Sequence, residues 1–126
     1  MERRRGGLVV RIDGALRFVP ASVAVQVTAL PSITRVPGSP DELLGIAMHG
    51  GTIVPVLAAG EGRTQMIVCQ WAGELVGVVG GDVVKAGIFE LVGEREDAVR
   101  FEGELASLLD LGALCARVQA GGAPGG

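Results

Sequence analysis

Groups that could act as a base or a nucleophile at neutral pH are scarce in this sequence. The chain has one histidine, His49, and no tyrosine, whereas acid–base catalysis near pH 7 usually needs a side chain whose pKa lies close to that pH. His49 stands in Met48-His49-Gly50-Gly51, which is typical of a loop or strand end. It would have to perform nearly every catalytic role alone, so we interpret it as a contact residue or a bystander. The sequence therefore predicts a protein that is not an enzyme.

The two cysteines and the glycine pairs match no metal or phosphate motif. Cys69 and Cys115 lie in apolar stretches, where a small buried thiol and a reducing cytosol are expected. The sequence has no C-x-x-C or H-E-x-x-H spacing, no P-loop and no G-x-S-x-G elbow. Gly80-Gly81-Asp82 lacks the lysine and serine that open a helix in a P-loop, so we interpret it as a bend. We expect no metal and no cofactor.

Composition excludes several kinds of partner. The 126-residue chain has a net charge of −3, one tryptophan, three phenylalanines and no tyrosine, so it lacks aromatic platforms for stacking on bases or sugars. The basic cluster Arg3-Arg4-Arg5 stands beside Gly6-Gly7 and is interpreted as a frayed end rather than a nucleic-acid site. The uncharged run from Leu43 to Gly60 contains four glycines and Pro55, which argues against a membrane helix. We expect a cytoplasmic protein.

Short β-branched runs separated by glycine dominate residues 8–101 and predict an all-β fold with a minor helical part. Asp13-Gly14 and Ala72-Gly73 each separate two such runs, as in tight hairpin turns whose central residues have positive φ angles. Thr52 to Leu57 predicts another strand, with Pro55 at an edge or bulge because proline has no N–H for the ladder. Near the C-terminus the apolar spacing changes and predicts a helix over residues 110–118.

These patterns divide the chain into three parts. Residues 1–7 are expected to form a flexible basic N-terminus, and residues 8–118 a single domain. Residues 119–126 are rich in glycine and are expected to form a disordered tail. A second full domain does not fit within 126 residues.

The order and spacing of several segments resemble the CheW family of chemotaxis coupling proteins, of which this chain would be a divergent and shortened member. PGSPDELLGIAMHGGTIVPV, residues 37–56, is similar to the family pattern G-V-x-N-L-R-G-x-x-x-P-V-x-D-L, with Gly45, Gly51 and Pro55 in register. Leu8 to Ile12 resembles the family's opening strand. FEGELASLLDLGAL, residues 101–114, resembles its closing segment.

This resemblance implies a fold and a function. The implied fold is CheW-like, with two interlocked small five-stranded β-barrels and a C-terminal helix. The implied function is a non-catalytic adaptor or scaffold in a bacterial chemosensory signalling array. One surface would engage the cytoplasmic tip of a chemoreceptor, a methyl-accepting chemotaxis protein. Another, on the first barrel, would dock the regulatory domain of a CheA-type histidine kinase or a CheW paralogue. The resemblance implies neither nucleic-acid binding nor membrane insertion.

The sequence departs from the family pattern at the positions where the family has residues for charged contacts. The family's arginine falls at Gly50, its asparagine at Met48, and the acidic residue of an earlier strand at Val27. An exposed ion pair contributes about 0–1 kcal/mol to stability, whereas truncating a charged interface contact costs about 2–5 kcal/mol. The loss therefore bears mainly on partner choice. Because the loop from Glu61 to Thr64 is also short, we favour a retained receptor or paralogue contact over retained kinase coupling, although the sequence alone is compatible with either.

The candidate partner-binding residues lie on and around the motif strands. They are Val27, Ile46, Met48, His49, Gly50, Gly51, Ile53, Val54 and Val56. Successive side chains of a strand point to opposite faces, so only part of this set can point outward. An alternative function from another class is a small β-barrel that binds a hydrophobic ligand. It is disfavoured because small barrels fill their interiors with side chains.

Overall fold

Ten strands and one helix make up the part of the chain that the structure describes. The computed structural model describes residues 3–121. The strands are β1 (Arg4–Ile12), β2 (Ala15–Pro20), β3 (Ala24–Ala29), β4 (Leu43–His49), β5 (Thr52–Ala58), β6 (Gln65–Trp71), β7 (Glu74–Val79), β8 (Gly81–Leu91), β9 (Ala98–Phe101) and β10 (Glu104–Leu108), and the helix is α1 (Leu111–Gly121). The predicted all-β class with a minor helical part is confirmed.

Both predicted glycine turns form hairpins. Asp13 and Gly14 have φ angles of 48° and 85° and join β1 to β2. Ala72 and Gly73, at 50° and 81°, join β6 to β7 in the same way. Two consecutive positive φ angles give a two-residue turn whose twist matches that of the flanking strands, which is why such pairs specify hairpins.

β1, β2, β10, β9 and β8 close into the first barrel. Its core residues are Val9, Leu16, Phe18, Phe89, Leu91, Val99 and Ala106. The Phe89 ring packs edge-to-face against Phe18 and against Phe101, with centroids 6.1 Å apart in each pair, a geometry that aromatic quadrupoles favour. Side chains thus occupy the barrel interior, as expected for a small barrel, and this packing gives the ligand-binding alternative no support.

The second unit is a five-stranded sheet in the order β3-β6-β7-β5-β4. Its own core consists of Ala47, Val54, Val56, Met66, Val68 and Val79. Among the described strands, β3 and β4 do not pair with each other. Instead Thr34, in the segment after β3, exchanges two backbone hydrogen bonds of 2.8 Å with Ile46 of β4. The expected second barrel is therefore a sheet closed by a single bridge rather than by a full ladder.

A third cluster, the central core, joins the two units and the helix. Its members are Val10, Ile12, Val19, Leu57, Ile67, Cys69, Val76, Val78, Leu111 and Leu114. β1 is consequently buried on both faces, since Val9 belongs to the barrel core and Val10 to the central core. A strand covered on both sides needs a continuous apolar run rather than an alternating one, which explains the sequence at Leu8 to Val10.

β1 starts earlier than predicted. It begins at Arg4 rather than Leu8, and residues 4–7 pair with β8. Part of the segment expected to be flexible, residues 1–7, is thus strand, and residues 1–2 lie outside the described part. A Cβ on Gly7 would lie only 2.3 Å from the carbonyl oxygen of Val19, so glycine permits the close approach of β1 and β2 at this point.

α1 is shifted relative to the predicted helix over 110–118. It begins at Leu111, and Asp110 caps it, because the Ala113 N–H donates to Asp110 Oδ1 at 2.8 Å. α1 continues to Gly121, so it includes the start of the predicted tail 119–126, whose remaining residues lie outside the described part. No helix among residues 3–121 is long and apolar enough to cross a bilayer.

The two thiols are expected to differ in reactivity. Burial, with a smaller contribution from Cys115, raises the pKa of the fully buried Cys69 thiol to about 12. Cys115 is only half-buried, although burial raises its pKa as well. Because the thiolate is the reacting form, iodoacetamide should alkylate Cys115 in the native protein and Cys69 only after unfolding. Peptide mass spectrometry measures both rates, and rapid native labelling of Cys69 would contradict this packing.

Candidate partner-binding surface

The hairpin of β4 and β5 forms one margin of the second sheet. Its antiparallel register places Met48 opposite Ile53 and His49 opposite Thr52. The turn consists of Gly50 and Gly51, with φ angles of 56° and 81°, which is again the geometry of a two-residue hairpin turn. A Cβ added at either glycine would meet no atom within 4 Å. The turn is therefore exposed, and its backbone can be approached closely.

Alternation along the hairpin divides the predicted contact residues into two sets. Met48 and Ile53 are 60% and 61% exposed and lie on the outer face, as does the half-buried Ile46. Val54 and Val56 are fully buried in the core of the second sheet. These two were included among the contact residues, but their side chains point inward and are not available to a partner in this fold.

The outward residues line a groove of about 460 Å³ beside β4. Its walls are Pro31, Ser32, Thr34, Ile46, Ala47, Met48 and Ile53. The wall opposite the hairpin is held by the Thr34–Ile46 bridge and by the Leu30 N–H, which donates to the Thr64 carbonyl at 3.1 Å. Sequence reasoning missed this wall. Its only signal was the pair Leu30 and Ile33, which pack against the core of the second sheet.

The groove is suited to apolar recognition. All of its lining residues are uncharged, and the half-buried His49 is not among them. Within residues 3–121, no group of three or more His, Cys, Asp or Glu side chains could hold a metal ion. A half-exposed methionine opposite an isoleucine offers an adaptable apolar contact surface, since methionine's unbranched chain fits irregular partners.

Val27 lies apart from this groove. It is on β3, opposite Ile67 of β6, and it packs half-buried against the central core. In the order of the sheet, three strands separate β3 from β4. The family resemblance implies an ion pair at the positions of Val27 and Gly50, and neither residue lines the groove.

Further exposed apolar side chains lie on other strands. They are Val25 on β3, Trp71 on β6, Val84 and Ile88 on β8, and Leu105 and Leu108 on β10. Ile88 is 73% exposed, and β8 pairs with β9 only at Glu90 and Leu91, so much of its second edge is open. Sequence reasoning did not single out the exposed residues of β8.

Comparison with known proteins supports the architecture. No family model and no curated protein matches the sequence. Among solved structures, scaffolding protein TtCheW from Thermoanaerobacter tengcongensis is similar, with a TM-score of 0.70 and 17% identity over 88% of this chain and 86% of that chain. Similarity of this extent at such low identity shows a shared fold. The fold is therefore CheW-like, as the sequence resemblance implied.

Proposed function

We propose that this protein is a non-catalytic adaptor in a bacterial chemosensory array, acting in the cytoplasm. Its primary partner is the cytoplasmic tip of a chemoreceptor, and it links that tip to a CheA-type histidine kinase or to other CheW-like proteins. Support comes from the shared fold with a scaffolding protein and from the exposed apolar hairpin described above.

One observation carries the proposal. Met48 and Ile53 face each other across β4 and β5, are about three-fifths exposed, and border an uncharged groove. Large apolar side chains paired at a surface are costly unless a partner covers them, and they form the anchors of many interfaces. Such a surface suits an apolar partner segment and does not require the family's missing arginine.

The kinase contact is the weaker part of the proposal. The family's charged positions hold Gly50 and Val27, and the short connection between β5 and β6 is fastened against the body of the protein. In that connection the Glu61 N–H donates to Asp13 Oδ1 at 3.0 Å, and the Gly62 N–H donates to the Gly80 carbonyl at 3.3 Å. These backbone bonds limit how far the connection can reach toward a second protein. We therefore favour an adaptor that keeps the receptor or paralogue contact.

Calorimetric titration with the two natural partners tests the proposal. The purified chain is titrated with the cytoplasmic domain of a chemoreceptor and, separately, with the regulatory domain of the kinase, both from its own genome. We expect receptor binding with a Kd on the order of 1 µM, equivalent to about −8 kcal/mol. Binding to both domains would make the protein an ordinary coupling adaptor. Binding to neither would overturn the proposal.

A further inference from the structure

We propose that a cleft between the β1–β2 hairpin and α1 binds an acidic side chain of a protein partner, through Arg17 and Arg117. The inference rests on the proposed function only in assuming that the protein has a protein partner. The cleft is separate from the groove beside β4, since the two share no lining residue.

The cleft combines two guanidinium groups with an apolar floor. Its volume is about 410 Å³, with Arg17 contributed by β2 and Arg117 by α1. Ile12 and Leu114 are buried members of the central core that lie at its base. A carboxylate on a short aliphatic stem could place its methylene groups on this floor and its oxygens against the arginines.

The two guanidinium groups lack acidic partners within residues 3–121. Arg17 is half-buried, and its only hydrogen bond runs from Nη1 to the adjacent Leu16 carbonyl at 3.0 Å. Neither Arg17 nor Arg117 forms an ion pair there, whereas Arg11 pairs with Glu104 at 3.5 Å. No side-chain nitrogen of the described residues is both buried and without a partner. The remaining N–H groups of Arg17 are thus accessible, and guanidinium forks bind carboxylates with two parallel hydrogen bonds.

Two aspartates in the cleft restrict what can bind. Asp13 Oδ1 accepts the Glu61 N–H at 3.0 Å, and Asp110 Oδ1 accepts the Ala113 N–H at 2.8 Å, so one oxygen of each carboxylate is held by the backbone. Their charges balance those of the two arginines, which removes any long-range attraction for a polyanion. A single carboxylate gains from short-range paired hydrogen bonds, whereas a phosphate dianion meets more repulsion. The cleft is therefore selective for an Asp or Glu side chain.

Nuclear magnetic resonance titration of the 15N-labelled full chain tests this site. The probe is the blocked peptide acetyl-ALELA-amide, and its comparison is acetyl-ALQLA-amide, which lacks only the charge. We expect the glutamate peptide to shift the Nε–H resonances of Arg17 and Arg117 with a Kd on the order of 1 mM, equivalent to about −4 kcal/mol. The glutamine peptide should bind at least tenfold more weakly.

Three variants test whether peptide binding depends on this cleft or on general electrostatic attraction to the protein. Arg17→Gln and the exposed helix variant Arg117→Gln should each weaken the glutamate peptide about tenfold, while Arg100→Gln, an exposed arginine on β9 outside the cleft, should not. The proposal would be overturned if inorganic phosphate shifted the Arg17 and Arg117 resonances as much as the glutamate peptide does, or if the peptide shifted Arg100 equally. It would also be overturned if up to about 10 mM peptide caused no shift. The peptide result is independent of receptor titration, so failure here leaves the proposed function standing, and failure of receptor binding leaves this site testable.

Discussion

Gly45→Ala is expected to lower the free energy of unfolding by about 3 kcal/mol or more. Gly45 has a φ angle of 149°, a region that residues with a Cβ populate at a cost of about 1–3 kcal/mol. An added Cβ would also lie 2.1 Å from the Thr34 carbonyl oxygen, and overpacking of this kind typically costs about another 1–3 kcal/mol. Because this carbonyl accepts the Ile46 N–H, relief of the clash must break the bridge that closes the second sheet.

Urea denaturation of the two variants Gly45→Ala and Gly87→Ala measures the effect. Gly87 is also in a strand, but its φ is not positive and a Cβ there would meet no atom within 4 Å. The Gly87 variant should remain within about 1 kcal/mol of the native protein. If Gly45→Ala were as stable as Gly87→Ala, residues 31–34 could not lie as close to β4 as described. The description of the groove would then be contradicted too.

The double variant Met48→Glu/Ile53→Glu is expected to weaken chemoreceptor binding by at least about thirtyfold, equivalent to about 2 kcal/mol. Both side chains lie on the outer face of the hairpin, so a partner that covers them must bury two new carboxylates without a cation to pair with. The free protein keeps these carboxylates in water. Because Met48 and Ile53 lie directly opposite each other, the two carboxylates also repel, and the free energy of unfolding should fall by about 1 kcal/mol.

Leu105→Glu is the matched control for that experiment. Leu105 is an exposed apolar residue of β10, in the first barrel and away from the groove. It adds one carboxylate, opposite Arg100 on β9, without touching the proposed surface, so receptor affinity should change less than about threefold. Equal loss in both variants would show that added negative charge, rather than the Met48–Ile53 surface, determines binding.

Several elements could be predicted from the sequence with local rules alone, namely backbone conformation and the alternation of apolar residues. Asp13-Gly14 and Ala72-Gly73 could be placed in turns because positive φ angles limit which residues fit there. The apolar run from Thr52 to Leu57 indicated β5. The C-terminal helix followed from the change in apolar period, although its cap at Asp110 moved the start by one residue.

Features that depend on distant segments could not be predicted in the same way. The burial of Val54 and Val56 follows from alternation only once the register with β4 is known. The wall at Pro31 to Thr34 depends on one bridge to Ile46. The placement of Arg17 and Arg117 on one cleft depends on where α1 lies relative to the β1–β2 hairpin, and no sequence spacing encodes it.

Methyl-resolved magnetic resonance of the protein with the chemoreceptor cytoplasmic domain tests the proposed adaptor surface most directly. Met48 is exposed whereas Met66 is 1% exposed, so the two methionine methyl groups form an internal comparison. We predict that the receptor domain shifts or broadens the methyl signals of Met48, Ile46 and Ile53 and leaves Met66 nearly unchanged. If a saturating concentration of the receptor domain left the Met48 and Ile53 signals unchanged, the assignment of the groove as the receptor site would be contradicted. Changes confined to Ile88 on β8 would contradict it as well.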